Sequence, residues 1–441
     1  MPNVATAPMP KAGVRRIAVI GAGYVGLPVA AVFSHRGHFV TIAERDVARF
    51  ELLRQGMSPI VEHGLEEMVK DGISTGRLRA VMSAAEAVVE AEFVFLCVET
   101  PQAPDGFADL SYITAAAAEI AANLAHGAVV VNKSTAPLGT AGLVERVIGR
   151  PDVVVVSNPE FLREGTAVAD SLSPDRIVVG SHNRQAAARV ADLFGDCGAP
   201  VVVTDATTAE LIKYASNAFL ATKLTFINTM AGLCEAVGGD VLDLVLGIGH
   251  DKRIGFEFLQ PGPGWGGSCL PKDTSALLTI AKSVNFDAKI VRAAISGNED
   301  QMGRVTDKVR AAAGGTLEGR SIGVLGLTFK ANTGDRRNSP AISITQRLVA
   351  AGATVQAFDP TVSRGDAEAP DLLHLTVFES PYEAVTGTHA IVLLTEWPEF
   401  CWLDFARIRE QVANPAIVDA RNLLEPGPLH HLGFSYTGIG R

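Results

Sequence analysis

Short apolar runs alternate with longer amphipathic stretches along the first half of the chain. The first run, RIAVIG at residues 16–21, is rich in β-branched side chains, and each later run ends in a polar loop. This alternation is typical of a parallel sheet whose strands are joined by helices, so we predict an α/β fold. Ligands of such sheets bind beyond the carboxyl ends of the strands, where the polar loops lie. The other runs predicted as strands are residues 93–98, 128–132, 153–156 and 201–203.

A glycine motif directly follows the first predicted strand. Gly21, Gly23 and Gly26 have the GxGxxG spacing and open the helical pattern LPVAAVFSHRG, after which a second strand ends in Glu44. In this arrangement the first glycine makes a tight turn, the second lets a pyrophosphate approach, and the third packs helix against strand. Glu44 can accept hydrogen bonds from the adenosine ribose, and its charge would repel a 2′-phosphate. The motif therefore predicts NAD, rather than NADP, as the cofactor.

A long helical pattern begins at residue 207 and contains neither proline nor glycine before Gly232. Lys213 and Asn217 are four residues apart in it, so they lie on one face among largely apolar neighbours. Because burying a lysine and an amide costs free energy unless they have partners, we treat both as candidate site residues. The alternative is a lysine whose amine reaches solvent at the helix surface. A further helical stretch is predicted at about residues 274–314.

Late in the chain, the sequence repeats the pattern of its beginning. RSIGVLG at residues 320–326 parallels RIAVIG, and ATVQAFDP at residues 353–360 parallels HFVTIAERD, with Asp359 in the place of Glu44. The repeat lacks the glycine motif and instead carries FKANTGDRRNSP, which is rich in hydrogen-bond donors. We therefore predict a second doubly wound domain that binds a different phosphate ligand, completed by the strands AIVLLTEW and AIVDARNL.

A single cysteine lies in a glycine-rich loop at residues 261–273, PGPGWGGSCLPKD. Glycines let backbone N–H groups approach a ligand closely, so this loop could wrap an anion or a sugar. Those N–H dipoles and a nearby cation such as Lys272 would favour the thiolate of Cys269. The alternative is a buried structural cysteine, but glycines, prolines and charged residues are not typical neighbours of a core position. We predict that Cys269 is a reactive thiol.

Length, charge and cysteine content narrow the possible functions. The 441 residues exceed what one hydrophobic core usually supports, so two or three domains are expected. The net charge of −10 argues against nucleic acid or an anionic membrane as the main partner. The five cysteines are scattered and never form a CxxC pair, which predicts neither disulfides nor a metal site and favours the cytoplasm. No apolar run is long enough to span a membrane, and the N-terminus does not look like a signal peptide.

The ordered motifs together resemble those of the UDP-glucose/GDP-mannose dehydrogenase family over nearly the whole chain after the first residues. The resemblance implies an NAD-dependent, four-electron oxidation of a nucleoside-diphosphate sugar at its primary alcohol to the uronic acid. It implies a homodimer or larger homo-oligomer as well. The motifs that carry it include GAGYVG, KSTAPLGT, NPEFLREGTA, ELIKYASNAFLATK, GWGGSCLPKD and GLTFKANTGDRRNSPA.

Three sets of site residues are implied by this resemblance, each carried over from a matching motif. The catalytic set is Cys269 as nucleophile with Lys213, Asn217, Asp273, Glu160 and Thr135. The cofactor set is Gly21, Gly23, Tyr24, Val25, Gly26, Glu44, Thr100, Ser134, Thr135, Glu164 and Arg337. The substrate set is Phe161, Leu162, Lys213, Asn217, Arg253, Gly266, Lys330 and Arg421, in which Arg253 matches an arginine that reaches the sugar from a neighbouring subunit.

The expected architecture is two Rossmann-like doubly wound domains joined by a long central helix. Its parts are a disordered tail at 1–14, an NAD-binding domain at 15–204, a central helical domain with the cysteine loop at 205–300, and a nucleotide-sugar-binding domain at 301–441.

Four readings of the substrate and activity remain open from the sequence. NPEFLREG and the ELIKYASNAFLATK helix favour UDP-glucose, although Leu270, Trp265 and Thr229 depart from the usual pattern of the glucose enzymes, and TDP-glucose is also compatible. GDP-mannose or another nucleotide sugar is the nearest alternative. The others are a two-electron hydroxy-acid dehydrogenase, which needs no nucleophilic cysteine, and a non-catalytic module that binds NAD or a nucleotide sugar.

Overall fold

The computed structural model describes residues 13–101, 108–195, 197–366 and 368–441. The predicted disordered tail lies outside the described residues except for its last two, and so does the loop segment 102–107. Within the described ranges, no helix has both the length and the apolar character needed to cross a membrane. The chain divides into two compact units, the first ending at Ala215 and the second beginning at Ser216.

The first unit is built on an eight-stranded sheet. Its strands are β1 (Arg16–Ile20), β2 (Phe39–Ala43), β3 (Leu78–Val81), β4 (Phe93–Leu96), β5 (Val129–Asn132), β6 (Val154–Ser157), β7 (Ile177–Gly180) and β8 (Val201–Thr204). They lie in the order β3-β2-β1-β4-β5-β6-β7-β8, and every neighbouring pair is parallel except β6 and β7. The helices are α1 (Gly26–His35), α2 (Val47–Arg54), α3 (Leu65–Ser74), α4 (Ala84–Ala87), α5 (Ser111–Ala121), α6 (Thr140–Ile148), α7 (Ala167–Leu172) and α8 (Arg184–Asp192).

Both faces of the central part of this sheet are covered, which explains why its central strands, such as β1 and β4, are apolar along most of their length. In β1, Ile17 and Val19 join the core beneath α1 and α3, whereas Ala18 and Ile20 join the core beneath α5 and α6. Since side chains alternate between the two faces of a strand, a continuous apolar run is required here.

A single helix, α9 (Ala206–Val237), continues from the first unit into the second. Gly232 does not interrupt it, and the helix ends just before Gly238, whose φ of 75° is outside the helical range. The predicted long central helix is thus confirmed.

The second unit contains a six-stranded sheet in which every neighbouring pair is parallel. Its strands are β9 (Ser321–Leu325), β10 (Thr354–Phe358), β11 (Leu375–Val377), β12 (Ala390–Leu393), β13 (Ala416–Asp419) and β14 (Ser435–Thr437), in the order β11-β10-β9-β12-β13-β14. Its helices are α10 (Val241–Gly249), α11 (Leu270–Ser283), α12 (Lys289–Ala312), α13 (Pro340–Ala350), α14 (Pro381–Val385), α15 (Phe405–Gln411) and α16 (Pro426–His431).

The repeated pattern is confirmed as a repeated fold, because β9 pairs with β10 as β1 pairs with β2. The helical stretch predicted at about 274–314 is corrected to two helices. They separate at residues 284–288, where Asn285 adopts a positive φ of 57° that a continuous helix cannot contain. The predicted domain boundaries stay predictions.

Candidate active site

The glycine motif forms the turn between β1 and α1. A Cβ at Gly21 would lie 2.8 Å from the backbone oxygen of Cys97, and one at Gly26 would lie 1.9 Å from the backbone oxygen of Gly21. Both positions therefore need glycine for close packing. A Cβ at Gly23 would meet no atom within 4 Å, so the space beside it is open, as approach by a pyrophosphate requires. The neighbouring candidates Tyr24 and Val25 lie in the same turn.

Glu44 connects the end of β2 to the glycine turn. Its Oε2 accepts a hydrogen bond from the backbone N–H of Ala22 at 3.3 Å, and its Oε1 accepts one from the N–H of Asp46 at 2.9 Å. Arg49 donates to the backbone oxygen of Ala22 at 3.1 Å. The carboxylate is therefore fixed beside the turn in which a dinucleotide would place its phosphates and adenosine ribose.

The loops after β4 and β5 are bonded to each other. The Thr100 hydroxyl donates to the backbone oxygen of Thr135 at 2.6 Å, and the Ser134 hydroxyl donates to the backbone oxygen of Val98 at 2.6 Å. Three predicted residues are thus brought together at the carboxyl edge of the sheet. The rest of the first loop, residues 102–107, lies outside the described residues.

Glu160 and Lys213 form a buried ion pair in the first unit. Lys213 Nζ donates to Glu160 Oε1 at 2.7 Å, and Glu160 Oε2 accepts from the backbone N–H of Leu162 at 2.7 Å. Lys213 is 4% exposed and Glu160 is 6% exposed. Burial alone would raise the pKa of Glu160, but the Lys213 ammonium and these hydrogen bonds hold that pKa below its usual value. The surface-lysine alternative for Lys213 is therefore wrong.

Phe161 lies near two cations of the same unit. The centroid of its ring is 3.6 Å from Arg176 Cζ and 5.6 Å from Lys213 Nζ. Such contacts fix an aromatic ring and favour cations over its face. The predicted cofactor residue Glu164 follows in this loop and is half-buried.

One buried cation near this site was not among the predicted residues. Lys133, which precedes Ser134 in the KSTAPLGT motif, is 7% exposed and donates through Nζ to Asn158 Oδ1 at 3.1 Å. Burial lowers its pKa. The signal that could have identified it is a charged residue placed directly after the buried strand β5, since such a position seldom holds a lysine without a partner.

Cys269 is exposed in the second unit and immediately precedes α11. Its Sγ lies 3.5 Å from the hydroxyl oxygen of Ser268. An exposed thiol contradicts the alternative of a buried structural cysteine. Lys272 is engaged elsewhere, because its Nζ pairs with Asp273 Oδ1 at 2.6 Å.

Asp273 joins α11 to α9 within the second unit. It is 1% exposed, and its Oδ2 accepts from Asn217 Nδ2 at 2.5 Å while its Oδ1 pairs with Lys272. Asn217 is 7% exposed. The amide of Asn217 is therefore held in one orientation by a carboxylate whose charge is balanced by a lysine.

The glycines of the cysteine loop face protein atoms rather than open space. A Cβ at Gly266 would lie 2.1 Å from the backbone oxygen of Asn338, and one at Gly267 would lie 2.9 Å from the ring of Phe329. The absent side chains at these two positions therefore allow the loop to pack against the segment after β9. The approach of a ligand to the backbone N–H groups of this loop stays a prediction.

Arg421 follows β13 and is held by several acceptors. Its Nε donates to the backbone oxygen of Leu394 at 2.8 Å and lies 3.0 Å from Glu396 Oε2, and its Nη2 donates to the backbone oxygen of Phe329 at 2.9 Å. Its Nη1 lies 3.5 Å from the position that a Cβ on Gly262 would take, at the start of the cysteine loop.

Three further predicted cations lie in the second unit. Arg337 pairs with Asp335 at 2.8 Å yet keeps 58% of its side chain exposed. Lys330 Nζ is 5.5 Å from the ring centroid of Phe329. Arg253 pairs with Asp251 and keeps 88% of its side chain exposed, so it is available to a second molecule.

Comparison with known proteins adds three family matches. Models of the UDP-glucose/GDP-mannose dehydrogenase family match residues 15–197 as the NAD binding domain, 207–300 as the central domain and 323–426 as the UDP binding domain. The chain is 46% identical to a UDP-glucose 6-dehydrogenase of Rhizobium meliloti, over 97% of this chain and 99% of that protein. It is 43% identical to one from Pseudomonas aeruginosa, over 97% of each chain. A solved UDP-glucose dehydrogenase from Pyrobaculum islandicum superposes with a TM-score of 0.87 at 36% identity, over 97% of this chain and 98% of that one.

Proposed function

The chain belongs to the UDP-glucose/GDP-mannose dehydrogenase family, and we propose that it oxidises the glucose of UDP-glucose at C6 to the uronate with reduction of two NAD. The observation that carries this proposal is the exposed thiol of Cys269, in a chain that is 46% identical to a UDP-glucose 6-dehydrogenase over almost its whole length. A two-electron dehydrogenase has no use for such a thiol, whereas oxidation of an alcohol to an acid does.

Cys269 captures the intermediate of this reaction. The first oxidation turns the alcohol into an aldehyde, and the sulfur adds to the aldehyde carbon while the thiol proton passes to the former carbonyl oxygen. Oxidation of this thiohemiacetal removes the hydrogen on carbon together with the hydroxyl proton and leaves a thioester. Water then cleaves the carbon–sulfur bond, which releases the carboxylate and restores the thiol. NAD, which the glycine turn and Glu44 would hold, would supply the hydride acceptor for both oxidations.

Lys213 and Asn217 stabilise the oxygen at which negative charge develops. They are one helical turn apart on α9, and each is held by a carboxylate, Glu160 for the lysine and Asp273 for the amide. Donors held in place before the reaction need no reorganisation during it, and removing one typically costs about 2.7–4 kcal/mol of barrier.

Glu160 and Asp273 are the candidates for moving protons through water, with Thr135 positioning that water. The pKa of Glu160 lies below its usual value, so this carboxylate is ionised at neutral pH and can accept a proton. Kinetics of the single variants Glu160→Gln and Asp273→Asn would assign each carboxylate to a step.

The cofactor is proposed to bind at the carboxyl edge of the first sheet. The open space at Gly23 admits the pyrophosphate, and the fixed carboxylate of Glu44 accepts from the adenosine ribose. The predicted nucleotide-sugar residues Lys330 and Arg421 belong to the second unit, within or next to the match to the UDP binding domain.

The active form is proposed to be a homodimer or larger homo-oligomer. Large apolar side chains are exposed along one stripe of α9, with Phe219 at 65%, Phe226 at 49%, Leu233 at 53% and Val237 at 72%. Their spacing of seven, seven and four residues keeps them on one helix face, and exposed apolar stripes of this kind mark protein contacts. The expected mass in solution is a multiple of 46.3 kDa, and the partner would complete the sugar site with Arg253.

The test is a substrate screen with UDP-glucose, TDP-glucose and GDP-mannose in which NADH is counted per sugar consumed. We expect UDP-glucose to be preferred and to give two NADH. One NADH per sugar would refute the four-electron reaction, and a preference for GDP-mannose would refute the substrate. Protein that binds NAD but turns over none of the three would instead support a non-catalytic binding module.

A further inference from the structure

The cysteine loop is a buried segment without regular secondary structure. Residues 261–268 form neither helix nor strand, yet most of them are buried. Buried backbone N–H and C=O groups must be paired, and a segment that belongs to no sheet must find side-chain partners. The loop leading to Cys269 therefore depends on groups supplied by other elements.

Two helices supply those groups through three primary amides. Asn228 of α9 accepts from the N–H of Gly262 at 2.8 Å, and Gln301 of α12 donates to the backbone oxygen of the same residue at 2.7 Å. Asn298 of α12 accepts from the N–H of Trp265 at 2.8 Å and donates to its backbone oxygen at 2.9 Å. The backbone N–H and the backbone oxygen of two loop residues, Gly262 and Trp265, are thus both paired.

The indole of Trp265 adds a third attachment at the same residue. Its Nε1 donates to the Thr225 hydroxyl at 2.9 Å, and that hydroxyl donates in turn to the backbone oxygen of Ala294 at 3.0 Å. The tryptophan that departs from the usual pattern of the glucose enzymes is therefore anchored to both α9 and α12.

The N–H of Trp265 needs an acceptor and its backbone oxygen needs a donor. A primary amide satisfies both, because it carries a donor and an acceptor on one planar group. An aspartate at position 298 would keep the acceptor, lose the donor, and place a carboxylate against the backbone oxygen of Trp265. All three amides are nearly inaccessible to water, at 2% for Asn228, 7% for Asn298 and 2% for Gln301, so water cannot replace a lost bond.

We propose that Asn228, Asn298 and Gln301 form an amide clamp that positions the sulfur of Cys269 for capture of the aldehyde. This rests on the proposed function. The clamp residues are positioning residues, since they act through the loop backbone. Only three residues separate Trp265 from Cys269, and two of them, Gly266 and Gly267, are packed against the segment after β9, so the anchored tryptophan restricts where the sulfur can lie.

The clamp predicts a defect specific to the step that uses the sulfur. Asn298→Asp changes few atoms, and Gln301→Met removes the other donor while keeping the side-chain length. The matched control is Asp300→Asn, which exchanges the same two side chains in the opposite direction at an exposed position two residues along α12. Each variant is assayed with UDP-glucose and NAD in the presence of an aminooxy reagent, and NADH, sugar consumed and the oxime of the released aldehyde are measured.

We expect wild type and the control to give two NADH per sugar and no oxime. In Asn298→Asp and Gln301→Met, kcat should fall by about 10²-fold, as small misplacements of reacting groups can cause. NADH per sugar should fall toward one, and oxime should appear.

Variants that are slower but still give two NADH and no oxime would overturn the clamp, since a general loss of stability slows both oxidations without releasing the aldehyde. Unchanged kcat, or failure of both variants to fold, would also overturn it. Wild-type protein that produces no NADH from UDP-glucose would refute the proposed function itself, which separates the two failures.

Discussion

In both sheets of this chain the first strand pairs with the second in parallel, β1 with β2 and β9 with β10. The turn that follows the first strand differs between the two sheets. In the first unit the acid at the end of β2, Glu44, takes one N–H of the glycine turn and leaves the space at Gly23 open. In the second unit the corresponding acid, Asp359, accepts from the N–H groups of Leu327 and Thr328 at 2.7 Å and 3.1 Å.

Asp359 thereby uses the backbone donors that a phosphate would otherwise meet. Its Oδ2 also accepts from Thr328 Oγ1 at 3.2 Å and from Trp397 Nε1 at 3.1 Å, and the residue is 1% exposed. The comparison teaches that a repeated fold need not repeat its chemistry. The first unit offers backbone N–H groups and a helix N-terminus, whereas the second has to rely on side chains.

The largest effect is expected from removal of the Cys269 thiol, which is the proposed reactive side chain of the second unit. Cys269→Ser should lower kcat by on the order of 10³-fold or more, because loss of a nucleophile removes the covalent step. Binding of UDP-glucose, measured by calorimetry, should be retained. Cys401→Ser is the matched control, since that thiol is also exposed in the second unit, and its activity should stay near wild type. Normal turnover of Cys269→Ser would mean that the sulfur has no role.

A pair of glycine variants separates Gly23, which faces open space, from Gly326, the tight-turn glycine of the second unit that stands in the place of Gly21. Gly23→Ala should leave the melting temperature nearly unchanged, because its Cβ meets nothing, while the KM for NAD rises roughly tenfold, a cost of about 1.4 kcal/mol.

Gly326→Ala should do the reverse. Its φ is 94°, and its Cβ would lie 2.4 Å from Thr395 Cβ, so unfolding free energy should fall by about 1–3 kcal/mol. Denaturant titration and NAD kinetics on both variants test the pair together. A Gly23→Ala protein that is destabilised but binds NAD normally would contradict the contrast.

The smallest expected effect concerns the buried ion pair of the first unit. The pKa of Glu160 is lowered on folding from an ordinary value of 4.5, so its carboxylate contributes stability above that pH. The contribution is lost as pH falls through the lower folded pKa. The difference in melting temperature between wild type and Glu160→Gln should therefore shrink as pH is lowered from 6 to below 4.5. A difference that grows over this range would reject the assignment.

Much of the fold follows from the apolar runs, and the exceptions have physical causes. The strands β1, β2, β4, β5 and β6 were predictable because buried parallel strands are apolar along their whole length. β3 and β11 lie at sheet edges, where exposure permits charged or polar positions such as Arg79 and interrupts the apolar pattern. β7 is the exception without such a cause, because its buried run IVVG is as long as β4, β5 and β6 and the same pattern identifies it.

The candidate residues were predictable from motifs, but their partners were not. Nothing local indicates that Lys272 pairs with Asp273 rather than serving the thiol, or that Asn338 and Phe329 fill the space beside the loop glycines. Lys272 and Asp273 are neighbours in sequence, but only the folded helix shows that their side chains meet. Asn338 and Phe329 lie far from the loop in sequence, so only the folded chain reveals their contacts. The three clamp amides were missed for the same reason.

The five thiols differ enough in surroundings to be told apart by a reagent. Cys97 and Cys234 are buried away from a reagent, and burial also raises the pKa of Cys97 to about 12. Cys197 is half-buried and donates to the backbone oxygen of Phe194, whereas Cys269 and Cys401 are exposed. Alkylation followed by peptide mass mapping would thus report first on the two exposed sulfurs, and protection of Cys269 by a nucleotide sugar would provide a direct occupancy assay for inhibitor screening.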